Sequence, residues 1–301
     1  MTAAEQPTDR AKPSVKWLIV LAIQMAFNVN VVSASMVLQS YAPKNHDRFY
    51  TGGDKAFIGA AFDWSGVGRG GDRWVSMISD TYFLSAEHYK APNSTTITFH
   101  YDNDPAGVSE TATVDSGQQI GSTDLWLGRL SSAPSSNVKR YPLLNLPSNV
   151  AYNDLEIYTF GRDEDASATS MRLGRNRIDS GSIGAETVST STGQAYEFDF
   201  DNPGGLDADE SFLQVGDSGS SSFAIVGGTP AVTGIHWFNV TNPPNSFEGS
   251  GDTFAAFYVS QLNNVMQDGE RVTVIPEPAS LAGFFIGVVA VLCYGKSRSI
   301  R

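Results

Sequence analysis

Three short patterns carry side chains with the chemistry of acyl transfer. Phe83-Leu84-Ser85-Ala86-Glu87-His88 is an apolar run that ends on a histidine. Thr123-Asp124-Leu125-Trp126-Leu127-Gly128-Arg129-Leu130 carries an aspartate into an alternating apolar segment. Gln214-Val215-Gly216-Asp217-Ser218-Gly219-Ser220 sets a serine between glycines. Acyl transfer needs a nucleophile, a base within hydrogen-bond reach of it, and an acid that holds the base in one tautomer. Ser218, His88 and Asp124 are those three types. Glycines beside the serine let the backbone turn so that N–H groups face a developing oxyanion. Singly, each pattern has an ordinary reading: a satisfied histidine, a turn aspartate, a Gly-rich turn. Together, in the order His, Asp, Ser, they point to a nucleophilic hydrolase.

Such residues are far apart in sequence, so the elements between them must bring them together. The chain of 301 residues is 41% hydrophobic and 17% charged, enough for a substantial core, and its 29 Gly and 14 Pro punctuate it often. Short alternating or apolar runs recur at Arg73 to Ile78, Thr95 to Tyr101, Leu155 to Phe160, Ala195 to Phe200, Ser222 to Val226 and Ala231 to Val240. Many short strands with turn residues between them predict an all-β sandwich or pair of barrels. One helix is expected, over Tyr258 to Gln267, where Tyr258, Leu262 and Met266 share a face. The Ser/Thr/Gly-rich stretch 180–193 reads as an exposed loop or a weak edge strand.

Charge and cysteine usage exclude several functions. The 32 acids outnumber the 20 Lys and Arg, a formal charge of −12, which argues against nucleic acid as a partner. A single cysteine excludes an internal disulfide framework and a Cys-based zinc cluster. Glu197, Asp199, Asp201, Asp207, Asp209 and Glu210 crowd one segment, but their spacing fits no EF-hand, and a solvated acidic loop is expected. No metal or cofactor is called for.

The two ends read as handling signals. Arg10, Lys12 and Lys16 precede the apolar run 17–32, and Ser33-Ala34-Ser35 offers small residues for signal peptidase, the layout of a secretory leader over 1–35. At the other end Pro276-Glu277-Pro278 leads into an apolar run at 281–294, followed by Lys296, Arg298 and Arg301. That run is short for a membrane span of about 20 residues, and the trailing cations would hold its end on the cytoplasmic side. Between the ends lie 14 basic and 29 acidic residues, net −15.

The tail over 274–301 resembles the PEP-CTERM sorting signal of exopolysaccharide-producing Gram-negative bacteria, by its Pro-Glu-Pro triplet, apolar helix and basic end in that order. The resemblance implies a transient inner-membrane anchor, an exosortase-type enzyme that removes it, and a destination in the periplasm, on the outer surface or in the extracellular matrix. Residues 36–273 resemble the trypsin-like serine proteases. Ser85-Ala86-Glu87-His88 is similar to the family's histidine segment, Asp124-Leu125-Trp126-Leu127 falls where its aspartate strand lies, and Gly216-Asp217-Ser218-Gly219 reproduces its nucleophile motif. The spacings of 36 and 94 residues suit a histidine and an aspartate from one barrel and a serine from the next.

That resemblance implies two packed antiparallel six-stranded barrels with a short C-terminal helix. It implies peptide substrates, with Gly216 and Ser218 N–H groups as the oxyanion hole. The family's primary pocket would be built on Phe212 and walled by His236-Trp237-Phe238. Phe212 replaces the acid that selects Arg or Lys, and Phe238 replaces a Gly, so the pocket is expected to be small. His236 stands where the family supports its triad aspartate. It is expected either to hydrogen-bond Asp124 or to lie on a strand facing solvent. Tyr50-Thr51-Gly52-Gly53 is either a new N-terminus that pairs with Asp217 on activation or a plain turn. Glu87 departs from the family, which keeps a small residue before the histidine. The expectation is an exported serine endopeptidase. Its alternative is a catalytically silent relative that binds or builds the cell-surface matrix.

Overall fold

The computed structural model describes residues 35–163, 167–201, 206–242 and 247–275. The expected leader, up to residue 34, and the Pro276-Glu277-Pro278 tail lie outside these residues. Among the described residues, no helix is long and apolar enough to cross a membrane.

Strand β1 (Val37–Leu38) and the one-turn helix α1 (Pro43–His46) lead into six strands. These are β2 (Val67–Gly70), β3 (Arg73–Met77), β4 (Tyr82–Ala86), β5 (Thr96–His100), β6 (Ser109–Gln119) and β7 (Leu125–Leu130). They close into a barrel in the order β2-β3-β4-β7-β6-β5, every neighbouring pair antiparallel. Closure removes the sheet edges that would otherwise expose unpaired N–H and C=O groups.

The second half contains β8 (Leu143–Leu144), β9 (Glu156–Gly161), β10 (Arg172–Arg177), β11 (Gly184–Val188), β12 (Ser191–Phe200) and β13 (Ser211–Phe212). It continues through β14 (Ser221–Val226), β15 (Thr229–Asn242), β16 (Phe247–Phe254), the helix α2 (Val259–Val265) and β17 (Val274–Ile275). Here the structure departs from the expected second six-stranded barrel. Nine of these ten strands form a sheet whose main path runs β10-β9-β14-β15-β16-β12-β11, with β8 and β17 added to it, while β13 pairs with β1 in a separate two-stranded sheet. β10 and β12 are not joined by a ladder. Instead the Asn176 amide donates to the carbonyls of Asp199 (3.2 Å) and Ser211 (2.8 Å), and the Asp179 N–H donates to Glu197 (3.0 Å). Side-chain bonding satisfies backbone groups where strand pairing stops.

The strands expected from apolar runs are present, while β2, β6 and β10 lacked an apolar signal. β6 is polar and buries only Ala112 and Val114 well, and β10 carries Arg172, Arg175 and Arg177 on a sheet edge. The stretch 180–193 forms the β11–β12 hairpin, with β11 as the edge strand. The expected helix is shorter than its pattern. A 3₁₀ turn covers Ala255–Tyr258 and α2 ends at Val265, yet Tyr258, Leu262 and Met266 are all buried. Val274 and Ile275, read as the head of the tail, form β17 beside β8.

One apolar cluster joins both halves. It contains Trp74, Leu84 and Leu127 of the barrel with Phe160, Phe223 and Val232 of the sheet. Trp64, just before β2, packs on the sheet side of this cluster, its ring edge-on to Phe160 at 5.1 Å and to Phe223 at 5.3 Å. Its indole N–H donates to the Gly59 carbonyl at 2.8 Å, so the buried ring leaves no polar atom unpaired. The relative placement of the halves is thus decided by packing, which sets where Ser218 meets His88.

Candidate active site

β4 is buried along its whole length and ends in a 3₁₀ turn over Glu87–Tyr89. The turn lifts the His88 side chain out of the sheet, leaving it 44% exposed. Pairing of β4 with β7 sets Ala86 opposite Leu125. The residue after one and the residue before the other are therefore neighbours, and the Glu87 N–H donates to the Asp124 carbonyl at 2.6 Å. Asp124 itself is 1% exposed. Thr123 shapes its approach, donating its hydroxyl to Ile120 and accepting the Leu125 N–H.

The Asp124 carboxylate is engaged twice by His88. It accepts the His88 main-chain N–H at 3.1 Å and lies 2.7 Å from Nδ1 of the ring. Nε2 of the same ring is 2.9 Å from Oγ of Ser218. With the carboxylate as acceptor, Nδ1 carries the proton and Nε2 accepts from the Ser218 hydroxyl. Burial raises the Asp124 pKa above its ordinary value, while the hydrogen bond and charge of His88 act in the opposite sense. Glu87 turns away from this centre and its carboxylate pairs with Lys90.

Ser218 is held by a loop between β13 and β14. Gly216 and Gly219 have φ of +102° and +85°, backbone that a side chain rarely tolerates. Gly219 also packs against the end of β4. A Cβ there would lie 2.7 Å from the Ser85 hydroxyl and 3.1 Å from the Ala86 nitrogen. The Gly219 N–H donates to the His236 carbonyl at 3.0 Å, and the His236 N–H donates to the Ser220 carbonyl at 2.8 Å. The N–H groups of Asp217 and Ser220 are likewise bonded within the protein. Those of Gly216 and Ser218 donate to no backbone carbonyl or side chain among the described residues.

Asp217 is fully buried, and its carboxylate accepts the N–H of Arg162 at 2.8 Å and of Gln214 at 2.7 Å. Burial pushes its pKa up to about 6, against the opposing effect of the two N–H donors and of neighbouring His236 and Arg162. In the uncut chain Tyr50 lies within continuous backbone, so a pairing of a new N-terminus with Asp217 is not tested by it. The Tyr50 N–H donates to the Asp47 carbonyl and its hydroxyl to Asp54. The preceding chain is built into the fold through β1, which pairs with β13.

His236 faces neither solvent nor Asp124, contrary to both expectations. It is 1% exposed, and its Nδ1 lies 3.4 Å from Oδ1 of buried Asp252. A bulge in β15 between His236 and Phe238 redirects the chain here. Asp252 accepts from Tyr196 (3.1 Å) and Ser222 (2.5 Å) through its other oxygen, so His236 lies beside a network inside the second half, with its Nδ1 making no hydrogen bond. Asp124 already has its partner in His88, which explains why no second one is drawn to it.

Phe212 is buried in β13 and stacks on Phe200 at 6.1 Å. Trp237 and Phe238 meet edge to face at 5.2 Å. The Phe238 ring covers Gly251 across the β15–β16 pair, where a Cβ would meet ring atoms at 2.2 to 2.6 Å. Arg162, Asp252 and Gly251 went unnoticed in the sequence because their roles arise from pairings across the second half.

Neither a protein-family model nor a curated protein matches the chain. Among solved structures it is similar to an inactive mutant of the murine norovirus NS6 protease, at 18% identity and a TM-score of 0.41. That alignment covers 64% of this chain and 90% of the viral one. It is also similar to the MamO protease domain of Magnetospirillum magneticum, at 14% identity and a TM-score of 0.45. There it covers 68% of this chain and 97% of the other.

Proposed function

We propose that the chain is a serine endopeptidase working through an acyl-enzyme. The observation that carries this reading is His88, whose two ring nitrogens reach Asp124 and Ser218 at 2.7 and 2.9 Å. Ser218 Oγ attacks the peptide carbonyl while His88 Nε2 takes its proton. Asp124 holds Nδ1 and stabilises the imidazolium. The N–H groups of Gly216 and Ser218 receive the oxyanion. His88 then returns the proton to the leaving amine, and water, activated by the same ring, hydrolyses the ester. Phe238 over Gly251 supports a small primary pocket without Arg or Lys preference, with Phe212, His236 and Trp237 behind it.

The ends support delivery outside the cytoplasm, with signal peptidase acting near residue 35. An exosortase-type enzyme would remove the tail at Pro276-Glu277-Pro278 after it has anchored the chain in the inner membrane. A second reading is a silent relative that binds protein or polysaccharide in the surface matrix. The same Phe238 favours it, since a covered pocket admits little. Labelling with a fluorophosphonate probe separates the two. The enzyme takes label on Ser218, and Ser218→Ala takes none. A wild-type chain that stays unlabelled, or labels as Ser218→Ala does, would sink the enzyme reading in favour of the silent one.

A further inference from the structure

We infer that Arg162 is a positioning residue that sets the direction of the Gly216 N–H by holding the carbonyl of the same peptide unit. The consequence for catalysis rests on the acyl-transfer reading above; the geometry does not. Arg162 is 5% exposed and follows β9 directly. Its backbone N–H is bound to the Asp217 carboxylate, and its carbonyl accepts the N–H of Met36 at 3.0 Å. Its main chain is therefore pinned on both sides, from the nucleophile loop and from the N-terminal segment.

The side chain then turns onto that same loop. Nη2 of Arg162 donates to the Val215 carbonyl at 3.4 Å. The guanidinium also lies flat against Gly216, where a Cβ would sit 1.8 Å from Nη2, 2.3 Å from Cζ and 2.5 Å from Nε. Nε is buried with no hydrogen-bond partner. A buried cation with an unpaired donor is held there at a cost.

The physical link is the planarity of the peptide. Val215 C=O and Gly216 N–H belong to one trans unit, so they point in opposite directions. Fixing the carbonyl on Arg162 aims the N–H away from it, on the side where Ser218 would hold a tetrahedral oxyanion. Without the guanidinium that unit is free to rotate, since Gly216 has no Cβ to hinder it. The Gly216 donor would then be lost to the oxyanion. Gly216 is thus required twice, for its φ of +102° and for the space the guanidinium fills.

The test compares the full-length chain with Arg162→Met and Arg162→Lys by labelling kinetics, by the low-field proton resonance of His88 Nδ1, and by crystallography. In Arg162→Met, fluorophosphonate labelling is expected to slow roughly 100-fold, the effect of losing one oxyanion donor. The His88 resonance should be unchanged, and the crystals should show the Val215 carbonyl reversed. Arg162→Lys keeps the cation without the planar fork and is expected to fall between, and it carries the same readings if Arg162→Met does not fold. An unaltered peptide orientation in a folded variant, or labelling at the wild-type rate, would overturn the inference. So would loss of the His88 resonance along with the rate, which marks a general structural role. A wild-type chain that takes no label defeats the proposed function instead, and the peptide orientation still decides this one.

Discussion

Asp217 shows how a single buried carboxyl ties chemistry to pH. With burial outweighing two N–H donors and the electrostatic influence of His236 and Arg162, its pKa is pushed up to about 6. The folded protein therefore binds this proton more tightly than the unfolded chain, where an ordinary carboxyl titrates near 3.8. The group favours folding below about pH 4, and that contribution disappears as pH rises through about 6. The difference is on the order of 3 kcal/mol. Asp217→Asn removes the titration, so its Tm should fall less between pH 4 and pH 7 than that of the wild type, measured by calorimetry in matched buffers. Equal falls in both would show that Asp217 does not titrate there. Asp124 makes a separate prediction. Asp124→Asn should leave the fold intact but slow labelling of Ser218 by up to about 10⁴-fold at neutral pH, because the amide favours the wrong His88 tautomer. A loss smaller than tenfold would mean that Asp124 is not what orients the ring.

At the scale of elements, the proposed function gives the β15–β16 pair the role of limiting what can approach Ser218. The bulge between His236 and Phe238 turns one ring inward to Asp252 and lays the next over Gly251. Phe238→Gly should uncover that strand without disturbing the His88–Ser218 pair. In a peptide-library digest it should move cleavage from small residues toward larger apolar ones. An unchanged profile would place the primary pocket elsewhere. The loop of Ser218 depends on strands that the sequence announces unequally. β4, β7 and β14 were legible because their apolar residues are buried. β6 and β10 were not, since one is mostly exposed and the other carries three arginines. Their strand state comes from ladder bonds with β5, β7 and β9 rather than from their own side chains.

Across the whole molecule, the site lies on a seam. His88 and Asp124 flank strands of the closed barrel, and Ser218 lies in the loop that leads into β14 of the nine-stranded sheet. What holds the seam is the apolar cluster shared by both halves, together with the Ser221–Ser76 hydroxyl bond of 2.7 Å. Trp64, 1% exposed, packs on residues of the sheet side of this cluster. Trp64→Ala should cost roughly 3–5 kcal/mol by the cavity it leaves, seen as a lower midpoint in guanidinium chloride. Labelling at low denaturant should weaken in the same variant, because the halves can then separate. A loss of stability below 1 kcal/mol would show that the seam closes without it.

The residue types alone determined the chemistry on offer: a nucleophile with glycines around it, a base after an apolar strand, and an aspartate at the mouth of another. Local backbone rules sufficed there, since strand ends, turns and apolar alternation depend on neighbours in the chain. Tertiary structure alone decided that the second half is a nine-stranded sheet with one gap bridged by Asn176. It also decided that His236 lies beside Asp252 and that Asp217 rests on the backbone of Arg162. Each of these is a contact between groups distant in sequence, brought about by how the core packs. No local pattern encodes that packing.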